Sequence, residues 1–257
     1  MLRKHDIPIL EYDDTFEGVI HAPKLLTKVG KGERCVITFF QDVISRLLEE
    51  NKLTVITELT SEYRIHPVYE MEYSGKKICL FHPVLGGLLA AAFLEELIAL
   101  GFKKFIACGG SGVLDPSLHV GSLIVPTKAL RAEGTSYHYL PPSRYVEIDA
   151  EAIHAIEKVL KSRNLPFVEG MTWTTDAYYR ETWEMINYRR EEGCIAVEME
   201  CASFVAVAKF RKVTFGQILY SGDDISQEIW DSRKWKSKVD IRYDLITSAI
   251  EACFLLQ

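Results

Sequence analysis

Ala196-Val197-Glu198-Met199-Glu200-Cys201-Ala202, followed further on by Ser221-Gly222-Asp223-Asp224, decides how this chain is read. Two carboxylates separated by one apolar residue open a run over 198–210 that reads as a helix. The apolar run over 213–220 reads as a buried strand, and the second pair of acids closes it. Acidic groups at the ends of such elements face a cleft rather than a core.

Outward from this stretch, strand and helix patterns alternate. Residues 35–40 form a β-rich run, and 42–50 a helical one. A hairpin spans 68–81, turning at Ser74-Gly75. Gly86-Gly87 opens a helix over 88–100 that Gly101 stops. Strands are expected over 105–108 and 122–126, and helices over 150–162, 181–192 and 240–255. Gly109-Gly110-Ser111-Gly112 leaves the strand at 105–108 as a tight loop whose N–H groups suit an anion. The class is α/β, with helices on both faces of a mixed sheet. Residues 1–34 read as an extended arm and 35–257 as a single catalytic domain.

Composition narrows the function. The 257 residues are 48% hydrophobic and 11% aromatic, enough for a large core. A net charge of −6 and the absence of a basic block argue against a nucleic-acid partner. The longest apolar run, 85–93, is too short to span a bilayer, and no signal core follows Met1. The six cysteines form no C-x-x-C pair, so buried reduced thiols and no metal site are expected. A cytoplasmic protein follows from these points.

These motifs, together with Arg131-Ala132-Glu133-Gly134-Thr135-Ser136-Tyr137-His138-Tyr139, resemble the nucleoside phosphorylase/uridine phosphorylase family over roughly residues 68–224. The resemblance implies a mixed, partly barrel-like sheet and cleavage of the bond between ribose and a nucleobase. It implies a pentosyltransferase of nucleotide salvage that uses phosphate as co-substrate and no cofactor. Glu200 corresponds to the carboxylate that accepts the ribose hydroxyls, with Glu198 beside it and Met199 packed on the sugar. Asp223 corresponds to the acid of the purine-cleaving branch, which uridine-cleaving relatives usually lack. Gly109, Gly110 and Ser111 fall at the anion loop. Tyr178 and Arg180 fall at the wall of the base pocket, where no matching Gln is found. The family builds its site across a two-fold dimer, often three dimers to a hexamer. Arg64 and His21 correspond to residues that a neighbouring subunit lends.

The departures matter as much. The family's phosphate loop, G-D-P-x-R, is replaced by Phe39-Phe40-Gln41-Asp42-Val43-Ile44, and Ala107 stands where a second phosphate Arg is expected. Each lost charge-assisted bond is worth roughly 1.5–3 kcal/mol. Lys24, Lys28 and Arg46 are candidate replacements. Asp42 falls where related nucleosidases carry a water-activating Glu, and equally suits a helix N-cap. Three functions stay open: a phosphorylase with a rebuilt phosphate site, which the Arg131 stretch and Arg64 favour; a nucleoside hydrolase; and a non-catalytic nucleoside binder.

Overall fold

The computed structural model describes Leu2 and residues 4–257. In chain order the elements are α1 (Ala22–Leu25), β1 (Arg34–Thr38), α2 (Gln41–Glu49), β2 (Thr54–Thr60), β3 (Ile65–Tyr73), β4 (Lys76–Phe81), α3 (Gly87–Ala99), β5 (Lys104–Val113), β6 (Leu123–Ala132), β7 (Tyr145–Glu147), α4 (Ala150–Ser162), β8 (Phe167–Thr175), α5 (Trp183–Glu191), β9 (Cys194–Glu198), α6 (Cys201–Arg211), β10 (Thr214–Asp224) and α7 (Val239–Leu255).

One mixed sheet holds all the strands, in the order β10-β6-β8-β9-β5-β1-β4-β3-β2, with β7 beside β6. Because β10 also pairs with β5, the strands β5, β10, β6, β8 and β9 close on themselves. The remaining strands extend this barrel as an open wing. Closure removes the edges of the barrel part, and the β2 edge of the wing is largely exposed.

Side-chain alternation sorts the core into two layers. Val36, Ile106 and Ile218 pack with α2, α4 and α7 on one face. Their neighbours Cys35, Ile37, Phe105 and Ala107 pack with α3 and α6 on the other. Every residue of α6 from Cys201 to Ala208 is buried, as expected of a helix apolar all round. That depth fixes where its N-terminus lies. All six cysteines are free and buried. Among the described residues no helix is long and apolar enough to cross a membrane.

Residues of the arm fold back on their own chain. Phe16 stacks on Phe210 at 5.5 Å, and its carbonyl accepts a bond from Arg211 at 2.6 Å. Val19 and Ile20 remain outside, fully or largely exposed.

The structure differs from the sequence expectation at several places. The strands β2, β7, β8 and β9 and the short helix α1 are additional to those expected. Gly109-Gly110-Ser111-Gly112 continues β5 instead of leaving it. The helix expected from Glu198 begins at Cys201, because Glu198 still belongs to β9. α5 starts at Trp183, where the Thr182 hydroxyl accepts the Met185 N–H at 3.3 Å.

Candidate active site

The site begins with a gap in a strand ladder. β5 pairs with β10 along most of its length. On its other side it pairs with β1 as far as Cys108, and with β9 only at Gly112 and Val113. Gly109, Gly110 and Ser111 therefore have no strand beside them there. A cavity of about 700 Å³ opens at this point, lined by all three. The glycines serve close packing. A Cβ on Gly109 would lie 3.2 Å from the Phe39 ring, one on Gly110 3.2 Å from the Tyr220 ring, and one on Gly112 2.9 Å from Val197. The expected anion loop is thus a strand that rings and a side chain press upon.

Glu198, Met199 and Glu200 line the same cavity. Glu198 holds the start of α6. Its carboxylate accepts the N–H groups of Glu200 at 2.7 Å and Cys201 at 2.6 Å, and the Thr174 hydroxyl at 2.6 Å. The Thr174 hydroxyl in turn accepts the Ala202 N–H at 3.0 Å. Two orphan donors of the helix, and a third through Thr174, are satisfied in this way. Glu200 is 5% exposed, and its Oε1 accepts the Gly86 N–H at 2.6 Å. Gly86 has φ +96°, a left-handed conformation that a side chain would strain. Burial pushes Glu198 up to about 7, against the three bonds that favour its charge. Burial, then the neighbouring Glu198, pushes Glu200 up to about 8. The two titrate as a pair. Glu198 has more donors than Glu200, so Glu200 is the carboxyl pushed higher.

Around Asp223, at the end of β10, a second group assembles. The exposed Trp230 donates its indole N–H to Asp223 at 2.7 Å. Asp224 takes the turn role, accepting the Ser226 N–H at 2.8 Å and pairing with Arg233. Residues Tyr178–Arg180 form a 3₁₀ turn, whose period of three brings Tyr178 and Glu181 to the cavity together. Arg180 faces away, exposed and outside the lining. The expected base-pocket arginine is therefore not at the cavity. Burial, then the charge of Asp223, pushes Glu181 up to about 7.

A third group lies at the start of α2. Asp42 does not cap that helix, whose N-cap is Phe40. Its Oδ2 instead accepts Arg242 Nη1 of α7 at 2.9 Å. Arg64 lines the cavity of its own chain. His21 is outside the lining and sits 3.6 Å from Glu17. Lys24, Lys28 and Arg46 are also outside it; Arg46 pairs with Glu50 at 2.9 Å. The cavity's cations among the described residues are Arg64, Lys236 and Arg242, with His82 beside them.

Glu181, Trp230, Thr174 and Arg242 were missed in the sequence. Glu181 follows Arg180 directly, and the short turn, which exchanges their places, leaves no pattern. Arg242 lies among the polar residues Asp240, Tyr243 and Asp244 at the start of α7, and no sequence pattern marks it as buried.

Folding raises Glu181, Glu198 and Glu200 above the 4.5 at which a carboxyl of the unfolded chain releases its proton. Between these values the unfolded state binds fewer protons, so stability falls as pH rises. The melting temperature of the empty protein is expected to decline from about pH 5 to about pH 8, the window set by these shifts. Glu200→Gln should flatten that decline. A melting temperature independent of pH across this window would show that the carboxyls are not held as described.

The family model of the phosphorylase superfamily matches residues 33–242. A guanosine phosphorylase of Halorubrum lacusprofundi is 27% identical over 63% of this chain and 67% of its own length. A uridine phosphorylase of Thermococcus kodakarensis is 33% identical over 46% of this chain and 42% of its own length, so the match spans less than half of that relative. Among solved structures, uridine phosphorylase of Vibrio fischeri superposes with a TM-score of 0.73 at 19% identity, covering 93% of this chain and 98% of that one. AMP nucleosidase of Bacteroides thetaiotaomicron gives a TM-score of 0.70 at 22% identity, covering 86% and 87%. Both superpositions carry the fold, including the partly closed sheet. The family match spans most of the chain and contains Glu198, Glu200 and Asp223, and on that ground this protein belongs to the phosphorylase superfamily, whose members are nucleoside phosphorylases and nucleosidases.

Proposed function

We propose that this protein cleaves the N-glycosidic bond of a nucleoside with phosphate, giving free base and ribose 1-phosphate. The observation that carries this reading is the convergence of Glu200 and Asp223 on one cavity, from two elements of different strands and helices. In the reaction a phosphate oxygen bonds to the anomeric carbon as the carbon–nitrogen bond breaks. The electron pair passes to the base, to which Asp223 relays a proton from solvent; the hydrogenphosphate returns its own proton to solvent. Positive charge develops on the ribose in between. An ionised Glu200 accepting the ribose hydroxyls stabilises that charge, most strongly in the transition state. Met199 packs beneath the sugar.

The base is read as a purine bearing ring N–H donors. Glu181 beside Asp223 gives two carboxylates, and a guanine edge offers N1–H and its 2-amino group to one of them. Uracil would need a donor for its carbonyl oxygens, and Arg180 is not at the cavity. The name of the Halorubrum relative accords with this.

Hydrolysis is the second reading. Asp42 Oδ1 is buried without a hydrogen-bond partner, beside the cavity, where it can accept from a water. The 39–44 stretch supplies no arginine, and Ala107, buried, holds the place of the second one.

The protein is read as a reducing-compartment, cytoplasmic enzyme of nucleoside salvage, consistent with its free thiols. It is read as at least a homodimer, because Val19, Ile20, Leu25, Leu85 and Leu88 leave large apolar side chains exposed.

Chromatography of guanosine, inosine and uridine digests, with and without phosphate, tests the reaction. Ribose 1-phosphate formed only with phosphate is expected. Free ribose at equal rates in both would establish hydrolysis, and no base released from any nucleoside would exclude both. Glu181→Gln should slow guanosine cleavage about tenfold or more, and inosine cleavage less, since inosine lacks the 2-amino group. Equal losses would remove Glu181 from base recognition. Sedimentation should find a dimer or a multiple of it; a fully active monomer would contradict the assembly.

A further inference from the structure

Arg242 is unusual among the cations of this chain. It is 8% exposed, yet it lines the cavity. α7 delivers it between two rings, with its guanidinium 5.5 Å from the Phe40 centroid and 5.4 Å from that of Trp235. Nε donates to the Tyr220 hydroxyl at 3.3 Å and Nη1 to Asp42 Oδ2 at 2.9 Å. Nη2 donates to no group among the described residues. The partner shows the same incompleteness, since Asp42 Oδ1 is buried and accepts nothing. One ion pair thus holds a guanidinium with a free N–H and a carboxylate with an unfilled oxygen. Leaving the buried carboxylate oxygen unpaired is costly, and a ligand that donates to it while accepting from the guanidinium offsets that cost.

The rest of the neighbourhood limits what that ligand can be. Arg64 and Lys236 line the same cavity and favour an anion. A carboxylate oxygen repels an anion's oxygen unless a proton lies between them. The ligand must therefore be an anion that carries its own O–H. Hydrogenphosphate fits, donating its P–OH to Asp42 Oδ1 and accepting from Arg242 Nη2. Sulfate at neutral pH has the same shape and charge but no proton to donate.

We propose that Arg242 and Asp42 form the phosphate subsite of this enzyme, in place of the arginine lost from the 39–44 stretch and the one absent at Ala107, and that Asp42 makes the subsite reject sulfate. The proposal rests on the phosphorolytic reading of the cavity.

Calorimetric titration of the full-length protein with inorganic phosphate and with sulfate at neutral pH tests it. Wild type should bind phosphate, with sulfate at least about tenfold weaker. Asp42→Asn, which can donate to a sulfate oxygen, should bind the two anions alike. Arg242→Gln should weaken phosphate at least about tenfold. Arg46→Gln removes a cation of α2 outside the cavity and should change nothing. If Arg242→Gln fails to fold, the sulfate gained by Asp42→Asn decides the matter. Equal binding of sulfate and phosphate by wild type, full phosphate affinity in Arg242→Gln, or an equal loss in Arg46→Gln each overturns the subsite while leaving phosphorolysis intact. A wild type that binds no phosphate and releases free ribose ends the phosphorolytic reading, and the subsite with it.

Discussion

The buried carboxylate of Glu198 is the interaction on which the site depends. It ties the end of β9 to β8 through Thr174 and to the first N–H groups of α6. A charge so deeply buried is tolerated only with such donors around it. Once Glu198 is committed to the helix, the chain passes Met199 and turns Glu200 into the cavity, where Gly86 fixes one of its oxygens. Two glutamates one residue apart thus have separate duties. One completes the fold, and the other is left to meet a ligand.

A second constraint comes from how the barrel closes. β5 must serve β1 at one end and β9 at the other, and the two cannot meet along it. The residues between them are where the sheet opens, and the cavity forms there because the ladder is incomplete. This lines the cavity with strand backbone, not with a loop. It also explains why bulky side chains are excluded at Gly109 and Gly110, while Phe39 and Tyr220 crowd in behind them. Tyr220 then accepts from Arg242, so a cation of the last helix reaches the cavity.

Much of the architecture was legible in the sequence because it rests on strong periodicity. The α/β class, the hairpin, α3, α4 and α7 follow from apolar spacing and glycine stops. What was hidden has particular causes. β9 is short and runs into the acidic motif, so its last residue looked like the first of a helix. The four residues from Gly109 to Gly112 have loop composition and strand geometry, because packing rather than turning demands glycine there. Among site residues, those on the acidic motif and at the end of β10 reach the cavity as the resemblance implied. Arg180 and His21 do not, because a short turn and a folded-back arm depend on contacts that no local pattern records. Arg242 lies in a helix far from every motif, and only tertiary structure brings it to Asp42.

The division between Glu198 and Glu200 is the central claim, and one paired measurement tests it directly: unfolding free energy and nucleoside turnover of Glu198→Gln and Glu200→Gln, determined side by side. Glu198→Gln should lose about 1–3 kcal/mol of stability, since an amide cannot accept all the bonds the carboxylate holds. Glu200→Gln should keep the stability of wild type and lose turnover by about a hundredfold or more. A Glu200→Gln enzyme that turns over normally but unfolds as easily as Glu198→Gln would contradict the account.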